Sequence, residues 1–360
     1  MIIKKQALYS ELPRLMPYKA FKPYAKRILL FLLALSVLST SACQAKFNTS
    51  LKDPVTVTDY KLNTYVSISA YETASLSTKD LKSLLKESLD LCDYYDLLFS
   101  RTNEDSALYK LNHNETSIVP KETGELIKTG LEYSKISKGT FDISIGSVSS
   151  LWDFNTDKPK IPSDSDIHDA LKYVNYENIS LEENSDSTYT VIKPEKTMLD
   201  LGAVAKGYIA DHIKTFLKEK GLNRAIINLG GNVLCVGNKA GNVDFNIGVR
   251  KPFADDTSTL MSLKVNDSSV VSSGNYERYF KVDDKIYHHI LNPKTGYPYD
   301  NNISEVTITS DDSLTGDCLS TSVFTLGIED GLALINSIDK VEAFIYTNDG
   351  QFYYSNGFKH

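Results

Sequence analysis

Three stretches of the 360-residue chain combine residue types that could handle a phosphorylated substrate. In Leu199-Asp200-Leu201-Gly202-Ala203-Val204-Ala205-Lys206-Gly207-Tyr208, a strand ends in an acid and a glycine-containing turn follows. A helix then begins, with a lysine in its first turns. Its N-terminus offers unbonded N–H groups and a partial positive charge, and so attracts phosphate. Lys206 opposes that dipole, a penalty that a bound anion would remove. The plainer reading leaves Lys206 reaching to solvent and Asp200 capping the helix.

The second stretch is Thr315-Gly316-Asp317-Cys318-Leu319-Ser320-Thr321-Ser322. A helix starting near Asp317 would place Thr321 on the same face, four residues on. A carboxylate and a hydroxyl there are hard oxygen donors, better suited to Mg²⁺ than to Zn²⁺. The alternative is N-capping by Asp317, with Thr321 bonded back to a carbonyl. The third stretch is Tyr287-His288-His289-Ile290-Leu291-Asn292-Pro293-Lys294-Thr295-Gly296. Adjacent histidines on a strand point to opposite faces, so one of them can enter a site and serve as a base near neutral pH.

Other segments read as supports. Gly139-Thr140-Phe141-Asp142 sets an aromatic beside an acid after a helix stop, an arrangement suited to a heteroaromatic ring. Asn228-Leu229-Gly230-Gly231-Asn232 allows close backbone approach. Trp152, the only tryptophan, reads as core.

The elements that must carry these groups follow from periodicity. Tyr60–Ala70 alternates like a half-buried strand, and Ser77 begins a helix bearing Leu81, Leu84, Leu85, Leu91, Tyr95 and Leu98. Helices are expected over 121–138, from Ser163 through Val174, over 204–220 and from about Asp317. Strands are expected over 188–192, over 224–236 with an interruption at Gly230-Gly231, and at 244–249, 260–265, 269–272, 280–282, 303–308 and 342–347. Runs of strands with inserted helices imply an α+β fold on mixed, mostly antiparallel sheet, as a single catalytic domain of one or two lobes.

The first forty-odd residues read as an address. Lys19, Lys22, Lys26 and Arg27 precede an apolar run from Ile28, which is too short to span a bilayer comfortably. Ser39-Thr40-Ser41-Ala42-Cys43 resembles a bacterial lipoprotein signal, with Thr40 departing from the usual aliphatic residue. The expected division is a signal peptide over 1–42, a tether over 43–57 and the catalytic domain over 58–360. Met16 is a second candidate start. Cys92, Cys235 and Cys318 are widely spaced and read as buried free thiols. A net charge of −7, with no basic cluster outside the leader, argues against nucleic acid as a partner.

Taken in order from about Leu62 to Leu326, these segments resemble the ApbE family of FAD:protein FMN transferases. The likeness is carried by Asp105-Ser106-Ala107-Leu108, Gly139 through Asp142, Leu151 through Phe154 and Asp200 through Tyr208. It continues in Asn228 through Asn232, Ser272-Ser273-Gly274, His289 through Pro293 and Asp317 through Thr321. It implies FAD as substrate and Mg²⁺ as cofactor. The metal ligands map onto the Ala203 carbonyl and the Asp317 and Thr321 side chains. Flavin-binding positions map onto Leu62, Thr140, Phe141, Asp142, Asp200, Lys206 and Leu291. His289 and Lys206 take the catalytic positions, His289 as candidate base. Thr102 and Asn292 depart from the commoner tyrosine and acid.

The implied reaction moves FMN from FAD to a Ser or Thr hydroxyl of an exported acceptor flavoprotein, an FMN-binding domain of a redox complex, and releases AMP. The enzyme would face the extracytoplasmic side, lipid-anchored to the membrane through Cys43. The alternatives are an FAD pyrophosphatase and a non-catalytic flavin-binding lipoprotein.

Overall fold

A computed structural model describes residues 53–71, 76–154, 158–239, 241–254 and 258–358. The leader and Cys43 lie outside the described residues. The N-terminal hairpin pairs β1 (Val55–Lys61) with β2 (Thr64–Ala70). The alternation expected as one strand is therefore two strands. The chain reverses at Leu62 and Asn63, whose φ angles are 53° and 56°. Such two-residue turns usually advertise themselves as Asn-Gly, and Leu-Asn conceals this one.

Helix α1 (Thr78–Phe99) starts where the Ser77 hydroxyl accepts the Asp80 amide, and its apolar stripe is buried. After α2 (Ala107–Asn112) and β3 (Ile118–Val119), α3 (Lys121–Ile136) ends before Gly139, at φ 74°. The short α4 (Gly146–Ser149) and α5 (Asp164–Leu171, capped by Ser163) follow; α5 stops short of Val174. Strands β4 (Ser180–Glu183) and β5 (Tyr189–Ile192) join β3 in a small sheet.

Helix α6 (Ala205–Glu219) leads into the tight hairpin of β6 (Ala225–Leu229) and β7 (Asn232–Val236), turned by Gly230-Gly231. A separate hairpin, β8 (Phe245–Arg250) with β9 (Thr259–Val265), precedes β10 (Ser269–Gly274). The β11 (Tyr279–Val282) and β12 (Lys285–His288) hairpin delivers the histidine pair. Strand β13 (Ile303–Ser310) then runs into α7 (Ser313–Leu326) and α8 (Ile328–Ile335). The last strands are β14 (Glu342–Thr347) and β15 (Phe352–Tyr354).

Eight strands form one antiparallel sheet in the order β1-β2-β6-β7-β10-β13-β14-β15. This is the mixed α+β architecture the sequence patterns imply. Helices α1 and α6 bury Leu81, Leu85, Ile209 and Ile213 with Ile68 and Ile227 of the sheet. Helix α7 packs Leu319 and Val323 with Val306 and Ile308 of β13. The β8–β9 hairpin contributes Phe245 to a cluster with Cys235 and Phe344. Cys92, Cys235 and Cys318 are free, buried thiols.

Helix α7 begins earlier than its sequence pattern implies. Asp312, not Asp317, is its N-cap, and Asp312 Oδ1 accepts the Thr315 amide at 2.8 Å. Asp317 therefore lies a turn inside the helix, where its carboxylate is available for another partner.

Candidate active site

That partner is the other helix. The Gly207 amide donates to Asp317 Oδ2 at 2.8 Å, across 110 residues of sequence. In a regular helix this amide would bond the Ala203 carbonyl four residues back. Here it is diverted, and among the described residues no backbone amide bonds the Ala203 carbonyl. Gly207 is required, because a Cβ there would lie 2.4 Å from the Ser313 carbonyl oxygen and 2.8 Å from Asp317 Cβ.

The N-cap position of α6, Val204, makes no side-chain cap. Among the described residues the Lys206 amide has no acceptor, and its ammonium makes no ion pair. A helix N-terminus with a free amide and an unpaired lysine is equipped for an anion. Asp200 does not cap this helix. It holds the preceding turn, accepting Gly202 N at 2.9 Å, Ser149 Oγ at 2.8 Å and Arg101 Nε at 3.1 Å. Burial alone would raise its carboxyl, but Arg101, Gly202 and Ser149 outweigh burial and hold its pKa below the ordinary value.

Asp317 is only 3% exposed. Burial raises its pKa, against the pull of Lys206 and the Gly207 amide. One turn on, Thr321 Oγ1 lies 3.3 Å from Ser273 Oγ. Ala203, Asp317 and Thr321, which bear a carbonyl, a carboxylate and a hydroxyl as hard oxygen donors, all line the cavity. Among the described residues no three His, Cys, Asp or Glu side chains group as a metal centre would. The donor set is mixed, with a single carboxylate.

The histidine pair divides as strand geometry requires. His288 is buried, its Nε2 2.9 Å from the Tyr299 carbonyl oxygen and its ring edge-on to Phe324. His289 turns to the cavity, and its main-chain amide donates to the Arg278 carbonyl at 3.1 Å. Its Nδ1 is buried with no hydrogen-bond partner. Burial, then Arg278, His288 and Lys206, lower its pKa to about 3, so the ring is neutral at physiological pH. Glu277 and Arg278, in the turn after β10, line the same space. The enclosing walls raise the Glu277 carboxyl, opposed by Lys206 and Arg278.

The cavity measures about 570 Å³, within the range of small-molecule sites. Tyr95, Phe99, Trp152 and Phe154 line it, with Leu62, Thr140, Phe141, Asp142 and Leu291 of the expected flavin positions. Asp200, Ala203, Lys206, His289, Asp317 and Thr321 line it too. Several of these side chains are already engaged by the protein. Asp142 accepts Ser144 N, Ser144 Oγ and Tyr176 N, and so braces its own loop. Phe141 is buried in the main core. Trp152 also packs as core, donating Nε1–H to the Gly296 carbonyl at 3.0 Å. Glu277 and Arg278 close a polar turn that begins at Ser272, whereas nothing in the sequence singles out Arg101 and Ser149. Only the fold brings Arg101 to Asp200, and no spacing signals that contact.

An uncapped helix N-terminus with a lysine, beside hard oxygen donors and an aromatic-walled cavity, defines an enzyme site for a phosphorylated aromatic substrate. The chain belongs to the ApbE family, whose sequence model matches residues 62–345. It is 35% identical over 271 residues to a Klebsiella pneumoniae (strain 342) protein named FAD:protein FMN transferase, covering 74% of this chain and 83% of the relative. A Treponema pallidum relative of the same name is 32% identical, covering 74% and 78%. The crystal structure of the ApbE protein from Thermotoga maritima superposes with a TM-score of 0.74 at 29% identity, over 84% of this chain and 97% of that one. The flavin transferase ApbE from Vibrio cholerae shares the fold, with a TM-score of 0.73 at 23% identity, over 85% and 98%.

Proposed function

We propose that this chain is a Mg²⁺-dependent FAD:protein FMN transferase that attaches FMN from FAD to a Ser or Thr hydroxyl of an acceptor flavoprotein. The observation that carries this reading is the Gly207–Asp317 hydrogen bond. It leaves the Ala203 carbonyl without a backbone donor among the described residues, and Ala203, Asp317 and Thr321 line the same cavity as Lys206. The donor set fits Mg²⁺, since all three are hard oxygens. When bound, Mg²⁺ would neutralise pyrophosphate charge and support charge growing on the departing phosphate.

The chain's own residues supply the rest. Lys206, through its ammonium and its free main-chain amide, holds the pyrophosphate, and the aromatic wall receives the flavin. The acceptor hydroxyl oxygen bonds to the FMN phosphorus while the bond to the bridging oxygen breaks, and AMP leaves with that oxygen. His289 takes the hydroxyl proton. The protein's own surroundings lower its pKa, and a bound pyrophosphate would supply negative charge that favours the imidazolium.

The leader supports export and a lipid anchor at Cys43. Among the described residues no helix is long and apolar enough to cross a membrane. The test incubates the purified protein with FAD, Mg²⁺ and an exported flavoprotein. A gain of one FMN in acceptor mass, with equivalent AMP, is expected. AMP and free FMN without acceptor labelling would indicate hydrolysis instead, and unchanged FAD would leave a binding protein.

A further inference from the structure

The start of α7 is held from α6. Asp211 Oδ1 accepts the Ser313 amide at 2.9 Å, and Oδ2 accepts the Ser313 and Leu314 amides at 3.1 Å and 2.9 Å. With Asp312 on Thr315, two carboxylates satisfy the first three amides of α7. The ordinary N-cap already does the usual work of a helix start, so a second carboxylate from another helix needs a separate reason.

The spacing supplies one. Gly207 and Asp211 are four residues apart on one face of α6. Ser313 and Asp317 are four apart on one face of α7. The helices therefore exchange caps: α7 lends Asp317 to the Gly207 amide, and α6 lends Asp211 to the Ser313 and Leu314 amides. Each bond fixes the register in which the other forms. The Gly207 contact leaves no slack, because even a methyl group would collide with the Ser313 carbonyl. If α7 slides along α6, Asp317 leaves Gly207, and the Gly207 amide becomes free to return to the Ala203 carbonyl. A slip would thus disturb two of the three hard oxygen donors.

We propose that Asp211 is a positioning residue for the cation site, holding α7 so that Asp317 and the Ala203 carbonyl face the cavity together. This rests on the metal reading given above. Asp211 itself does not line the cavity, so its effect runs wholly through the helix pair.

The experiment measures Mn²⁺ binding to the full protein by electron paramagnetic resonance, without FAD or acceptor, alongside thermal unfolding. In Asp211→Asn one oxygen still accepts an amide, but the new NH₂ confronts the other donor. The expected result is a Mn²⁺ dissociation constant raised about ten- to hundredfold, as for residues that orient metal ligands. Asp211→Glu keeps the charge with a longer reach. It should weaken binding less, and it serves as the test if the amide variant does not fold. Unaltered Mn²⁺ affinity in a folded Asp211 variant, whatever its melting temperature, would overturn the positioning role alone. Absence of Mn²⁺ binding in the unsubstituted protein would overturn the metal reading and this proposal together.

Discussion

Two helices begin at the same place in this molecule and begin differently. Helix α7 has its first three amides satisfied by Asp211 and Asp312. Helix α6 has no side-chain cap, gives its one diverted amide to Asp317 and keeps a lysine in the first turn. Both N-termini carry the positive end of a helix dipole. Stability calls for capping both, and only α7 is capped. An uncapped start that opens on a cavity is a reserved donor set, whereas a doubly capped start is an anchor.

The sharpest way to break this contrast is to remove the one carboxylate that serves both helices as a link. In Asp317→Ala the Gly207 amide returns to the Ala203 carbonyl, and the cation loses its only acid. AMP release from FAD should fall by at least about a thousandfold even with excess Mg²⁺, with Mn²⁺ binding lost in parallel. Full activity would sink the assignment of Asp317. Lys206→Gln leaves the helix pair intact and removes only charge at the reserved start. There the loss in kcat/KM should be about a hundredfold with Mn²⁺ affinity retained. A fall in stability without a kinetic effect would return Lys206 to the role of an ordinary surface lysine.

Much of this contrast was legible in the chain, and the reasons divide by distance. Asp200 through Tyr208 shows a strand, a turn and a helix start in ten consecutive residues, so the anion subsite reads locally. Ser77, Ser163 and Gly139 mark helix ends because caps and stops are properties of adjacent residues. The true start of α7 was misplaced because Asp312 and Asp317 are both acids near a helix beginning. Choosing between them needs the Gly207 amide, 110 residues away. Asp211 was invisible for the same reason: on its own helix it is one more acid, and its partners are 102 and 103 residues distant. Arg101 and Asp200 likewise meet only through the fold. The Leu62-Asn63 turn was hidden by chemistry, since its left-handed backbone carries residues that do not announce it.

The sheet carries a further buried carboxylate, away from the helix pair. Glu305, 0% exposed on β13, has hydroxyl donors, Tyr276 at 3.1 Å and Thr307 at 2.9 Å. Burial raises its pKa from 4.5 to about 7, which the hydroxyl bonds only partly offset. The folded state therefore holds a proton that the unfolded chain releases. The stability from that proton is complete below about pH 4.5 and is lost as pH rises through about 7. Glu305→Gln removes the titration. Its melting temperature should exceed that of the unsubstituted protein by more at pH 8 than at pH 5, corresponding to about 1–3 kcal/mol. Parallel pH profiles for the two proteins would contradict the raised value.

The smallest effect tests the anchor side of the comparison. Asp312 is exposed, among the described residues bonds only the start of its own helix through its side chain, and does not line the cavity. Asp312→Ala removes a conventional N-cap, so stability should fall by about 1 kcal/mol in denaturant unfolding. FMN transfer and Mn²⁺ affinity should stay unchanged, because Asp211 still fixes where α7 begins. The two acids satisfy neighbouring amides of one helix, so a general loosening of that helix would make their variants behave alike. A Mn²⁺ affinity lowered equally in Asp312→Ala and Asp211→Asn would mean that capping of any kind sets the cation site. Affinity lost only with Asp211 would mean that the register between the two helices sets it.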